Sequence, residues 1–81
     1  MIKRTLSRLT AKAITNKKHP GYYADGGGLY LQVSKSGSRS WLFRYTLAGR
    51  SDWMGLGSQR DVTLAEARSK AEACRQLLAQ G

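Results

Sequence analysis

Residues 29–56 read LYLQVSKSGSRSWLFRYTLAGRSDWMGL, and this stretch decides the fold. Leu29-Tyr30-Leu31-Gln32-Val33 alternates strictly, the pattern of a half-buried strand. Lys35-Ser36-Gly37-Ser38-Arg39 is a loop of hairpin length. Trp41 to Leu47 is a second strand, rich in aromatics. Ala48-Gly49 makes a two-residue turn, and Ser51 to Leu56 is a third strand. The expected sheet is therefore three-stranded and antiparallel.

Turn lengths set the pairing. With Ala48-Gly49 as the turn, Leu47 faces Arg50, Tyr45 faces Asp52, Phe43 faces Met54 and Trp41 faces Leu56. The first loop pairs Ser34 with Ser40, which sets Val33 opposite Trp41 and Leu31 opposite Phe43. Side chains alternate across a strand, so each face follows. One face holds Leu29, Leu31, Val33, Trp41, Phe43, Tyr45, Met54 and Leu56, and is a core. The other holds Tyr30, Gln32, Leu42, Arg44, Thr46, Ser51, Trp53 and Gly55.

The flanks supply helices. Thr63-Leu64-Ala65-Glu66 is a capping box opening a helix to about Gln80, with Gly81 as its stop. Leu64, Ala67, Ala71, Cys74 and Leu78 form one apolar stripe, and the small residues allow close approach to the sheet. Upstream, Thr10 caps a short helix over Ala11–Thr15, with Leu9 and Ile14 packing across the cap. Asn16 to Gly21 break that helix. Asp25-Gly26-Gly27-Gly28 reads as a tight, irregular connection. Residues 1–8 form a basic lead-in, and residues 9–81 form one domain. The fold class is α+β, with the C-terminal helix on one sheet face and the other face open.

Charge narrows the function. Fourteen Lys and Arg stand against five Asp and Glu, a net charge of +9 in 81 residues. Such a field draws polyanions and speeds their encounter. A chain this short buries only about 60% of its unfolded surface, leaving little room for a shaped catalytic pocket. Cys74 is the single cysteine, so neither an internal disulfide nor a cysteine metal site forms, which fits a reducing cytosol. No run approaches the ~18 apolar residues of a membrane span, and a cytoplasmic location is expected.

Catalytic patterns do not assemble. His19 is the single histidine and sits beside a proline in a loop. The carboxylates are scattered, with no acid–base pair. Gly26-Gly27-Gly28 lacks the Lys-Ser/Thr of a phosphate loop and precedes a strand rather than a helix. Its glycines serve a sharp turn. No catalytic residue, cofactor, metal or small-molecule substrate is expected.

The open face carries the chemistry. Arg44 stands at its centre, expected between Tyr30 on one neighbour and Trp53 on the other. A guanidinium held by cation–π contact can present its fork to guanine O6 and N7. Gln32 suits adenine, and Leu42 or the Thr46 methyl suits a thymine methyl. Arg44, Gln32, Leu42, Thr46, Tyr30 and Trp53 are the expected base contacts. Lys35, Arg39, Arg50, Ser51 and Arg60 are expected on phosphates, with the amides of the second helix start as a further anion site.

These residues also resemble a known family. Asp25-Gly26-Gly27-Gly28-Leu29-Tyr30-Leu31-Gln32-Val33, Gly37-Ser38-Arg39-Ser40-Trp41 and Phe43-Arg44-Tyr45 are similar to the N-terminal arm-binding domain of phage-type tyrosine recombinases, the integrases of prophages and genomic islands. Met54-Gly55-Leu56-Gly57 and Leu64-Ala65-Glu66-Ala67-Arg68 continue the pattern in order. The resemblance spans about residues 9–81. It implies a non-catalytic domain, excised from a larger enzyme, that binds arm-type sites by placing a three-stranded sheet in the DNA major groove. It also implies other integrase subunits as partners. Positions 42, 46 and 53 are often basic or polar in relatives. Leu42, Thr46 and Trp53 here imply a more apolar readout.

Two other readings stand beside this one. Exposed aromatics on a sheet can stack unpaired RNA bases. The RNA-recognition sheet, however, uses four strands and two helices, more than this sequence is expected to supply. Alternatively, Tyr30, Leu42 and Trp53 form a hot spot for another protein.

Overall fold

The computed structural model of the protein describes residues 9–80. The expected lead-in over residues 1–8 and the helix stop at Gly81 lie outside them. The order is α1 (Ala11–Asn16), β1 (Gly21–Gly26), β2 (Leu29–Val33), β3 (Arg39–Leu47), β4 (Arg50–Ser58) and α2 (Leu64–Ala79). The strands form one antiparallel sheet in sequence order. The α+β class and the C-terminal helix are as expected, but the sheet has four strands rather than three.

The additional strand is β1. Its end, Asp25-Gly26, lies inside the segment read as an irregular connection. The pairing passes from Ala24↔Tyr30 to Gly26↔Leu29, a bulge that leaves Asp25 outside the ladder. A bulge re-aims a side chain, and Asp25 is buried. The turn that follows needs glycine. Gly27 and Gly28 have φ of 63° and 94°, and a Cβ on Gly28 would lie 2.8 Å from the Arg44 carbonyl and 2.8 Å from the Phe43 ring. Gly28 thus lets the turn rest on β3, where its carbonyl accepts from the Arg44 amide at 2.8 Å.

The first hairpin pairs differently from expectation. Leu31 faces Trp41, Leu29 faces Phe43 and Val33 faces Arg39. The loop runs from Ser34 to Ser38, closed by the Ser34 amide on the Ser38 carbonyl at 2.9 Å. The shift is two residues. An even shift preserves which face each side chain takes, so the core survives while its cross-strand partners change. In the second hairpin, Leu47↔Arg50, Tyr45↔Asp52 and Phe43↔Met54 stand as expected. Trp41 faces Gly57 instead of Leu56, because a bulge between Trp41 and Leu42 absorbs one residue of β4.

The core forms where β2 and β3 meet α2. Leu29, Leu31, Val33, Trp41 and Phe43 are buried with Ala67 and Ala71 of α2. Leu9 and Ile14 close the cluster around α1. The Thr10 hydroxyl accepts from the Ala13 amide at 3.0 Å, and both bonds of the Thr63–Glu66 capping box are made. Leu64, Cys74 and Leu78 are partly buried against the core. Met54, expected inside, is 43% exposed, because β4 is an edge strand.

The β3–β4 turn carries a local cost. Ala48 has φ 53° and Gly49 φ 78°, the paired positive values of the tight hairpin turn. A residue with a Cβ is disfavoured there, and asparagine tolerates the conformation better. Ala48→Asn is expected to stabilise the domain by about 0.5 kcal/mol in urea unfolding. Destabilisation would show that the turn is not held in this conformation.

Candidate nucleic-acid interface

Cross-strand pairing sorts the open face into rows. Tyr22, Gln32, Ser40 and Ser58 form a polar row across all four strands. Ala24, Tyr30, Leu42 and Gly55 form the next, which carries no charge. Arg44 faces Trp53, and Thr46 faces Ser51, in the last two. Tyr30 therefore faces Leu42, not Arg44 as expected, a consequence of the two-residue shift in the first hairpin.

The aromatic side chains nevertheless gather on Trp53. The Tyr22 ring stacks on it at 5.0 Å with a 19° tilt, and the Tyr30 ring meets it edge-on at 5.1 Å. The Arg44 guanidinium carbon lies 4.9 Å from the indole centroid. Tyr22 and Trp53 come from β1 and β4, the opposite edges of the sheet, and from rows two apart, yet their rings meet. The Tyr22 hydroxyl accepts from the Gln32 amide at 3.4 Å, and the hydroxyls of Thr46 and Ser51 lie 3.1 Å apart. Arg44 is thus braced by the indole while remaining exposed.

Tyr22 was not among the sequence candidates. The helix-breaking residues 16–21 and the glycine-rich residues 25–28 hide its strand from the sequence pattern. A signal was present: two tyrosines between Pro20 and a Gly-Gly turn are strand formers beside a hairpin turn.

The expected cations divide. Lys35 is exposed in the Ser34–Ser38 loop, and Arg50 is exposed at the β3–β4 turn. Arg60 is exposed beside a polar groove of about 570 Å³, lined also by Ser38, Arg39, Ser40, Ser58 and Gln59. Arg39 is partly committed elsewhere. Its Nη2 donates to the Lys17 carbonyl at 3.0 Å and to the Thr15 carbonyl at 3.4 Å, tying the end of α1 to β3. Its Nε is buried without a partner among the described residues. The start of α2 is partly capped from within. The Glu66 amide donates to the Thr63 hydroxyl, and the Thr63 amide to the Glu66 carboxylate.

No strand residue of the open face is a carboxylate. Asp25 is buried under Arg68, and Glu66 and Glu72 lie on α2. Asp52 pairs with Tyr45 on the core side, its carboxylate accepting from the Trp53 amide. Burial pushes the Asp25 carboxyl up, but hydrogen bonds from Arg68 and the Leu9 amide outweigh it and hold it below its ordinary value. Among the described residues, no group of three His, Cys, Asp or Glu could hold a metal ion, and no helix is long and apolar enough to cross a membrane.

The family described as Arm DNA-binding domain matches residues 9–81. The chain belongs to the arm DNA-binding domain family. Relatives of this arm domain include the Integrase of Enterobacteria phage P4, 45% identical over 60 residues, 72% of this chain and 14% of the relative. The Integrase of Shigella phage Sf6 is 37% identical over 70 residues, 86% of this chain and 18% of that protein. Prophage integrase IntS of Escherichia coli (strain K12) matches to the same extent. The arm domain thus spans less than a fifth of these relatives' own lengths.

Proposed function

We propose that this arm domain binds duplex DNA sequence-specifically at arm-type attachment sites, placing the open sheet face in the major groove. The observation that carries this reading is the braced Arg44. It stands exposed on a face without carboxylates, opposite the helix, in a chain of net charge +9. Arg44 takes guanine O6 and N7, and Gln32 takes adenine. Tyr30, Leu42, Thr46 and Trp53 supply apolar contact, joined by Tyr22. Lys35, Arg50, Ser51 and Arg60 hold phosphates, with Arg39 contributing what remains of its fork. The domain has no catalytic role of its own. It supports integration and excision of a prophage or genomic island within a longer integrase, beside other integrase subunits.

Arg44→Ala is expected to weaken binding to the preferred duplex by about 1–3 kcal/mol and to relax specificity at one position. Equal loss on all duplexes would remove Arg44 from base reading. Lys35→Ala is expected to weaken all sequences alike and to flatten the log–log salt slope by about 0.9. An unchanged slope would take Lys35 off the phosphates.

RNA stacking does not separate on strand number, because the sheet has four strands and two helices accompany it. It separates on the rings. The indole is already stacked by Tyr22 and braced against Arg44, which leaves less free aromatic face for an unpaired base. Competition between single-stranded and duplex probes in a gel shift tests this: tighter binding to the single strand would favour the RNA reading.

A further inference from the structure

We infer that the open face selects thymine through its 5-methyl group, with the Tyr30–Leu42–Trp53 patch as the methyl receptor. This rests on the major-groove reading above and names what that face recognises. The central row, Ala24, Tyr30, Leu42 and Gly55, is uncharged across the full width of the sheet. The Tyr22, Tyr30 and Trp53 rings collect beside it. Gly55 leaves the row open next to Leu42, since a Cβ there would meet nothing within 4 Å. The result is an uncharged patch, with Leu42 half-buried in it.

The groove offers one kind of group to match such a patch. Base edges in the major groove present donors and acceptors, and the thymine methyl is the apolar exception. A G·C pair pressed against Leu42 and Trp53 would lose water from its polar edge and gain no hydrogen bond, which is costly. A thymine methyl loses only apolar contact with water, which is favourable. Gln32 and Arg44 flank the patch in the neighbouring rows, each about 7 Å away along the strand. That is about the rise of two base pairs. The selected thymine therefore lies within about two base pairs of the guanine taken by Arg44.

The test compares thymidine with deoxyuridine, which pairs identically and lacks only the methyl. A duplex recovered by selection from random-sequence DNA is made in both forms and titrated with the 81-residue chain. Replacing the contacted thymine is expected to weaken binding about three- to fivefold, the worth of one buried methyl. In Leu42→Ala the ratio between the two duplexes should fall towards one. Two results would overturn the inference separately. Equal binding of both duplexes, with methylation of guanine N7 still interfering, would leave the sheet in the major groove but remove methyl reading. Equal binding together with indifference to N7 methylation would overturn the major-groove reading as well.

Discussion

Trp41→Ala is expected to destabilise the domain by about 3–5 kcal/mol, the range for removing a large buried aromatic. Trp41 is fully buried, and it sits opposite Leu31 at the centre of the sheet. Its indole nitrogen donates to the Val62 carbonyl at 2.8 Å, fastening the β4–α2 connection to the sheet. The truncation therefore opens a cavity and also leaves that carbonyl without its donor. A domain of 81 residues has a total stability of about 4–12 kcal/mol on general grounds. Each kcal/mol is worth roughly 4–8 °C in Tm for small domains. The variant should melt at least about 12 °C lower by circular dichroism, on the same scale. A loss under about 1 kcal/mol would contradict the placement of Trp41 in the core.

Asp25→Ala should cost about 2–4 kcal/mol, somewhat below the range for breaking a fully buried ion pair. The Asp25 carboxylate accepts from Arg68 Nε and Nη2, both at 3.0 Å, and from the Leu9 amide at 2.8 Å. Arg68 Nη2 also donates to the Leu9 carbonyl at 2.7 Å. One carboxylate thus joins the bulge of β1, helix α2 and the segment leading into α1. The discount arises because the Arg68 side chain is 34% exposed, so water partly compensates the orphaned cation. The pH dependence has a definite sign. The folded carboxyl is held below its ordinary value, so its contribution is complete above the unfolded value of about 3.9. It is lost as pH falls through the lower, folded value. Urea unfolding from pH 7 to pH 2 should show this loss in the wild type, with a shallower dependence in Asp25→Asn. Identical profiles would remove Asp25 from the acid response.

Much of this was legible because strand periodicity and turn length are local signals. The alternation of Leu29 to Val33, the Ala48-Gly49 turn and the Thr63–Glu66 capping box each depend on a few adjacent residues. What escaped depends on long-range contacts. β1 is short, bounded by glycines and bulged at Asp25, so its period breaks where it matters. The Asp25–Arg68 pair joins residues 43 positions apart, and no spacing rule finds it. The bulge beside Trp41 was hidden for the same reason, since Leu56 continues an apolar alternation that the pairing does not follow. At the open face, Tyr30, Leu42, Arg44 and Trp53 were assigned to the correct side, because an even register shift preserves sides. Their neighbours were not, and Tyr22 entered only with β1. Arg39 reads as one more surface cation until the Thr15 and Lys17 carbonyls are seen to receive it.

The most direct test of sequence-specific duplex binding by the open face is selection from random-sequence duplex DNA at two salt concentrations, followed by titration of the recovered duplex. Sequence-specific binding yields a short shared motif containing guanine and, with about four phosphates neutralised, a log–log salt slope near −3.6. Recovery of no motif, with binding that follows salt alone, would contradict it.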